Sequence, residues 1–338
     1  MSGMMTDMRS VGFWGTGSYL PEKIMTNKDF ESIVDTNDEW IRTRTGIRER
    51  RIAADHEATS DLAFHAGQKA LEHAGVAAEE IDLVIVGSCA FDMYLPASAC
   101  LVAERLGAKK AAAFDLETAC TSFVYGCAVG AQFIATGLYE KVLVIGAEVM
   151  SRIIDFQDRN TCVLFGDGAG AAVLGPVETG TGIRSIHLGA DGSGGPSLYV
   201  PAGGTRLPFS ASTLEKREHF VRMNGSEVYK FAVKVMGEAA FQALDKAGWT
   251  QEDIDFFIPH QANLRIIDSS AKKLKIPMEK VEINLDRYGN MSAASIPVAL
   301  DEAVREGRIA EGDRLILVGF GAGLTWGSLA VHWVPPKR

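Results

Sequence analysis

Residues 71–86 read LEHAGVAAEEIDLVIV, and residues 244–259 read LDKAGWTQEDIDFFIP. Set one above the other without a gap, they share Leu71/Leu244, Ala74-Gly75/Ala247-Gly248, Glu79/Glu252, Ile81-Asp82/Ile254-Asp255 and Ile85/Ile258. Each copy reads as a helix end, a glycine stop, a short acidic link and an apolar strand. Glycine is favoured just past a helix C-terminus, and a strand buried on both faces reads as a continuous apolar run. The offset (71 to 244) is about half of the 338-residue chain. A weaker pair, EKVLVIGAE (140–148) and GDRLILVGFGAG (312–323), lies late in each half. The chain therefore reads as two similar α/β halves, residues 9–180 and 181–338. Their strands alternate with helices, which predicts parallel sheets covered on both faces. Residues 191–220, DGSGGPSLYVPAGGTRLPFSASTLEKREHF, break this rhythm and read as an irregular loop, functional or disordered.

Composition narrows the function classes. Hydrophobic residues make up 47% and charged residues 23%, a globular balance with ample material for a core. The net charge is −9, from 34 basic and 43 acidic residues, which disfavours a general nucleic-acid binder. No apolar run approaches the ~20 residues of a membrane span, and the start MSGMMTDMRSVGF lacks a signal-peptide layout. Cysteines at 89, 100, 120, 127 and 162 form no C-x-x-C pair, so they read as reduced thiols in a cytoplasmic protein. No cluster has zinc-ligand spacing. GTGSYLPE (15–22) lacks the third glycine and following helix of a dinucleotide fingerprint, and GDGAGAAVLG runs into a strand.

Chemistry-bearing residues fall at strand ends. In DLETACTSFVYG (115–126) an apolar strand ends near Leu116 and a small-residue helix follows, so Cys120 lies at a helix N-terminus. A free cysteine often serves as a small buried hydrophobe. The helix N-terminus, with unpaired N–H groups and partial positive charge, instead suggests a thiol lowered toward thiolate. His260 ends the strand DFFIP, and Asn290 lies in the turn Tyr288-Gly289-Asn290 between another expected strand and a helix. Carboxyl ends of strands form the ligand edge of such sheets. Alone, a histidine is commonly structural and an asparagine common in turns. Together, a thiol, an imidazole and an amide can attack a carbonyl and stabilise an oxyanion.

TACTSF around Cys120, PHQANLRII around His260, RYGNMSAASIPVALDEAV around Asn290 and GFGAGLTWGS at 319–328 resemble β-ketoacyl-acyl carrier protein synthase III. GTGSYLPE, TNDEWIRTRTGIRERRIA (36–53) and FGDGAGAAVL (165–174) extend the likeness over residues 11–334. The resemblance implies a thiolase-like fold: duplicated halves in a five-layer αβαβα arrangement. It implies an acyltransferase that loads Cys120 from acyl-CoA and condenses the acyl group with malonyl-acyl carrier protein, starting type II fatty acid synthesis. His260 and Asn290 are then the donors to the enolate oxygen. The backbone N–H groups of Cys120 and Ala322 form the oxyanion hole for the thioester. Trp40 and Arg152 match positions that sandwich the CoA adenine, Arg44 a phosphate contact, and Asn263 a contact to the pantetheine arm. Otherwise these would read as a core tryptophan and solvated arginines.

For carrier-protein docking the resemblance points to Gln261, Arg265, Lys272, Lys273 and Lys230, although Gln261 could instead fix the His260 loop. A homodimer is implied, with Leu95 reaching across to the partner's acyl pocket. No cofactor is expected, because acyl-CoA is a substrate. Four positions depart from the family's common pattern: Thr121-Ser122 after the cysteine, Leu95 for Phe, Ala322 for Gly and Leu324 for Phe. These leave the starter acyl group open, as they do the choice between fatty acid and secondary-metabolite synthesis. Two other classes remain, a cysteine hydrolase or amide-bond enzyme and a non-catalytic scaffold of the same fold. The duplication argues against the first and the complete Cys–His–Asn set against the second.

Overall fold

The computed structural model describes residues 8–336, so the reading of residues 1–7 as part of a start without a leader lies outside the described residues. The strands that matter here are β1 (Val11–Tyr19), β2 (Leu83–Gly87), β3 (Ala112–Leu116), β4 (Val142–Glu148), β5 (Gly168–Pro176), β6 (Gly182–Ala190), β7 (Phe256–Pro259), β8 (Arg314–Gly321) and β9 (Thr325–His332). The first sheet has the order β1-β5-β4-β2-β3 and the second β6-β9-β8-β7. Read in that direction, the first four positions of the two sheets correspond one to one. The two repeat sequences end in β2 and β7, which hold equivalent places. The counterpart of β3 has shrunk to a single parallel bridge between Phe257 and Val281.

The helices used below are α1 (Asp38–Thr45), α2 (Thr59–Ala74), α3 (Ser122–Ala135), α4 (Gly225–Ala247), α5 (Leu264–Leu274) and α6 (Ser295–Arg305). α2 lies against β1, β4 and β5, and α4 against β6, β8 and β9. α3 and α6 touch both sheets, which makes five layers: helix, sheet, two helices, sheet, helix. The sequence accounts for this. α3, SFVYGCAVGAQFIA, is apolar or small all round, the pattern of a helix buried on every side. Ile85, Phe123, Ile134, Val144, Ile258 and Leu317 fill the middle of the stack. Gly146 in β4 permits a close approach: a Cβ there would stand 2.2 Å from the carbonyl oxygen of Ala293, just before α6.

The sheets are mixed rather than parallel. β2 pairs in parallel with β3 and β4, and β7 with β8, but β5 and β9 run antiparallel to both of their neighbours. Only a short turn joins β8 to β9, and a parallel pair needs a long crossover. Residues 191–220 form short ordered pieces, including a ribbon that pairs Leu198–Tyr199 with Arg222–Met223. No helix among the described residues is long and apolar enough to cross a membrane.

Candidate active site

Cys120 follows β3 and precedes α3, in a short 3-10 turn, Ala119–Thr121. Ala119 has φ of +48°, a conformation that strains a residue with a side chain. Its N–H donates to Glu117 Oε1 at 2.9 Å. The Thr121 hydroxyl donates to the Thr118 carbonyl at 2.7 Å and meets the Thr325 hydroxyl at 2.9 Å. Ser122 Oγ accepts from the Thr118 N–H at 3.0 Å. The Thr121-Ser122 departure thus braces the turn. Gly321, at the end of β8, closes the other side: a Cβ there would lie 2.8 Å from the Cys120 nitrogen.

His260 directly follows β7 and is fully buried, with no hydrogen-bond partner at either ring nitrogen. Burial lowers its pKa to about 3, so the imidazole is neutral at ordinary pH. Asn290 is not preceded by the expected strand. Only the Val281 bridge and a short helix, Leu285–Tyr288, lie there, and Asn290 is held instead by its backbone N–H on the Leu164 carbonyl and its carbonyl on the Gly166 N–H. Its side-chain oxygen accepts from the Ser292 N–H at 2.8 Å, which leaves the amide NH2 as its free donor end.

Cys120, His260 and Asn290 line one cavity of about 210 Å³ together with Arg44, Asn263 and Phe320. Cys120 also borders a second, more apolar cavity of about 210 Å³, walled by Cys89, Met150, Phe165, Leu198, Val221 and Ala322. The thiol therefore stands at a junction. Burial pushes it up to about 12; the Ser292 hydroxyl opposes this shift and Glu148 adds to it. The sequence expectation of a thiol lowered toward thiolate is thus corrected: in the resting site burial is the largest influence and acts upward.

Other sequence candidates sort clearly. Arg152 is not beside Trp40; its guanidinium donates to the carbonyls of Ala54 and Asp55 at 3.0 and 3.2 Å. The guanidinium carbons of Arg159 and Arg44 lie over the Trp40 ring instead, 5.1 and 5.0 Å from its centroid. Arg159 escaped the sequence reading, although it follows the N-cap Asp158 of a short helix whose next residue, Asn160, lines the cavity. Asn263 caps α5, its Oδ1 accepting from the Arg265 N–H, and donates to the Arg44 carbonyl at 3.0 Å. Gln261 is corrected as a docking residue, because it is fully buried. It donates to the carbonyls of Pro259 and Glu282 and accepts from the N–H groups of Asn284 and Leu285.

Arg265, Lys272, Lys273 and Lys230 remain on the surface, each engaged. Arg265 donates to the Thr43 carbonyl, Lys272 pairs with Asp268, Lys230 with Glu227, and Lys273 reaches Glu238 at 3.9 Å. Leu95 is 84% exposed and lines neither cavity of its own chain. Leu324 packs against Gly194 of the 191–220 loop.

Comparison with known proteins agrees with this fold. Residues 114–192 match the family model described as 3-Oxoacyl-[acyl-carrier-protein (ACP)] synthase III, and residues 244–333 match its C-terminal model. The chain is 60% identical over 326 residues to a beta-ketoacyl-[acyl-carrier-protein] synthase III of Desulfitobacterium hafniense, covering 96% of this chain and 98% of the relative. It is similar to the crystal structure of the Thermus thermophilus beta-ketoacyl-[acyl carrier protein] synthase III, with TM-score 0.90, 50% identity, and 96% and 100% of the two chains covered. It is similar also to the priming beta-ketosynthase of the R1128 polyketide pathway, with TM-score 0.91, 37% identity and both chains covered in full. The chain belongs to the 3-oxoacyl-[acyl-carrier-protein] synthase III family.

Proposed function

We propose that this chain is the condensing acyltransferase that starts type II fatty acid synthesis, joining an acyl group from acyl-CoA to malonyl-acyl carrier protein. One observation carries the assignment of roles. A buried, neutral imidazole without partners and an amide with its NH2 end free line the same cavity as the thiol. In the first half-reaction Cys120 Sγ attacks the thioester carbonyl, and the backbone N–H groups of Cys120 and Ala322 stabilise the oxyanion. The thiol proton ends on the departing CoA sulfur. Because burial holds that proton in the resting site, it leaves only as the thioester arrives. In the second, malonyl-acyl carrier protein loses CO2, and His260 and the Asn290 NH2 donate to the enolate oxygen. The enolate carbon attacks the acyl-Cys120 carbonyl, and the Cys120 sulfur departs and takes up a proton from solvent, which restores the resting thiol. Neutral donors suit this step, since they stabilise the oxyanion without protonating it.

Intact-protein mass spectrometry tests the assignment. Acyl-CoA alone should add one acyl mass at Cys120, and malonyl-acyl carrier protein should remove it as 3-oxoacyl product. Release by water with no malonyl requirement would mean a hydrolase. The R1128 likeness supports a second reading, the same chemistry priming a secondary metabolite; competition between carrier proteins of the two pathways separates the two.

Arg159 over Trp40 supports an adenine sandwich at the cavity mouth. Arg159→Ala should raise KM for acyl-CoA roughly 2- to 30-fold, the range of a lost cation–π contact, with kcat little changed. Arg152→Ala should not. Equal effects of the two in steady-state assays would remove Arg159 from the CoA site. Arg265 and its neighbouring lysines suit carrier-protein docking, through charge and therefore weakened by salt.

The exposed run Met93, Tyr94 and Leu95 supports a homodimer in which this loop closes the partner's apolar cavity. A leucine where many relatives carry phenylalanine leaves space, so short branched or medium acyl chains should be used as well as acetyl. Each extra methylene gains ~0.8 kcal/mol, about fourfold in preference. Leu95→Phe should shift kcat/KM back toward acetyl-CoA; an unchanged profile across acetyl-, isobutyryl-, butyryl- and hexanoyl-CoA would show that Leu95 does not set the pocket length.

A further inference from the structure

Glu148, the last residue of β4, is fully buried, and the steps above do not use it. Its carboxylate accepts from two segments at once. From the loop after β2 come the Ser88 hydroxyl at 2.9 Å, the Cys89 N–H at 3.1 and 3.2 Å to the two oxygens, and the Ala90 N–H at 3.2 Å. From the turn before α6 come the Ser292 hydroxyl at 2.9 Å and the Ala293 N–H at 3.4 Å. Its partners are hydroxyls, N–H groups and the Cys89 thiol, with no cation among the main influences on it. A carboxylate is costly to bury without a counter-ion: burial raises Glu148 to about 7 and the donors oppose that shift, so the fully accepting carboxylate is the form above that pH.

Both segments end at the chemistry. Cys89 walls the apolar cavity beside Cys120. Ser292 has φ of +46°, a strained conformation for serine, and its N–H fixes the Asn290 side-chain oxygen. The Ser292 hydroxyl also stands 3.8 Å from Cys89 Sγ and acts on Cys120. One buried carboxylate thus ties the end of β4 to the thiol wall on one side and to the enolate donor on the other.

We infer that Glu148 is a positioning residue for condensation: through Ser292 it holds the Asn290 amide with its NH2 toward the substrate, and through Cys89 and Ala90 it holds the wall of the acyl cavity. This rests on the condensing reading above. The requirement is for a carboxylate, because both oxygens must accept. A glutamine would offer one acceptor and aim its NH2 at N–H or O–H donors, so one of the two segments would lose its anchor. Above about pH 7 Glu148 also places negative charge near Cys120, including the range where that thiol titrates. The other titratable groups facing that thiol are Glu117 and Cys89, together with neutral His260.

The test uses the full chain with Glu148→Gln and Ser292→Ala, each checked for native thermal unfolding. Native enzyme is assayed in parallel, since its failure to condense would count against the reading rather than against Glu148. Glu148→Gln should retain most Cys120 acylation by acetyl-CoA but lose roughly 10²-fold in condensation, the scale of one displaced oxyanion donor. Alkylation of Cys120 by iodoacetamide, followed across pH by mass spectrometry, should move to lower pH as the carboxylate charge is removed. Ser292→Ala should show the same split between acylation and condensation with the charge retained, so it does not lose this upward push. Condensation within threefold of native in Glu148→Gln overturns the inference, as does an equal loss of both half-reactions with an unmoved alkylation profile. If Glu148→Gln does not fold, Ser292→Ala decides by the same split.

Discussion

Cys120→Ser is expected to lose acyl transfer by on the order of 10⁴-fold or more, the scale seen when a covalent nucleophile is removed. The two side chains differ by one atom, so the turn braced by Thr121 and Ser122 and the contact with Gly321 should survive. The chemistry does not. Burial already pushes the thiol up to about 12, and a hydroxyl starts from a much higher pKa and pays the same desolvation. The helix N-terminus of α3 helps a developing anion, but only by a fraction of that gap. Incubation with acetyl-CoA followed by intact mass should show no acyl adduct. Condensation near the native rate in this variant would exclude Cys120 as the nucleophile.

His260→Ala and Asn290→Ala should each lower malonyl decarboxylation by about 10²–10³, the range for one oxyanion donor, while Cys120 still becomes acylated. In the proposed mechanism both act on one oxygen, so the double variant should fall short of the product of the two losses. The pH dependence follows from the sign of the shift. His260 is lowered to about 3, so the neutral, hydrogen-bonding form persists as pH falls until that value is approached. No limb from this imidazole should appear between pH 5 and 8 in single-turnover decarboxylation. A histidine limb near the ordinary value, absent in His260→Ala, would mean that the imidazole is charged in the working site.

The duplication was legible because its signal is local. A glycine that stops a helix and an apolar run that begins a strand are written in adjacent residues, and β2 and β7 take equivalent places as the repeat requires. Strand direction was less legible, since pairing depends on connections and partners far along the chain. Cys120 and His260 could be placed from the strands they follow. Asn290 could be named but not its setting, because its fixing bonds come from Leu164, Gly166 and Ser292. The arginine over Trp40 was missed for a similar reason. Arg152 and Arg159 lie in one irregular segment, and only the folded path brings the second across to α1. Gln261 looked like a surface polar residue, yet its four hydrogen bonds all go to backbone groups, three of them brought in by the Glu282–Leu285 segment and one from Pro259. Glu148 gave no signal at all beyond an acid closing an apolar strand.

Cys120 stands where two cavities meet, one lined by Arg44, Asn263, His260 and Asn290 and the other by Cys89, Met150 and Val221. This layout sets an order of events in time. CoA and the carrier protein present the same kind of pantetheine thiol end, and the first of these cavities is the one that joins Cys120 to His260 and Asn290. If both arms use that cavity, as the proposed roles require, the first must withdraw before the second can enter, while the acyl group stays on Cys120 beside the apolar cavity. Initial-rate plots at several fixed levels of one substrate should give parallel lines. Released CoA should compete with the malonyl carrier, so a rising ratio of free CoA to acyl-CoA would slow the second half-reaction as well as the first.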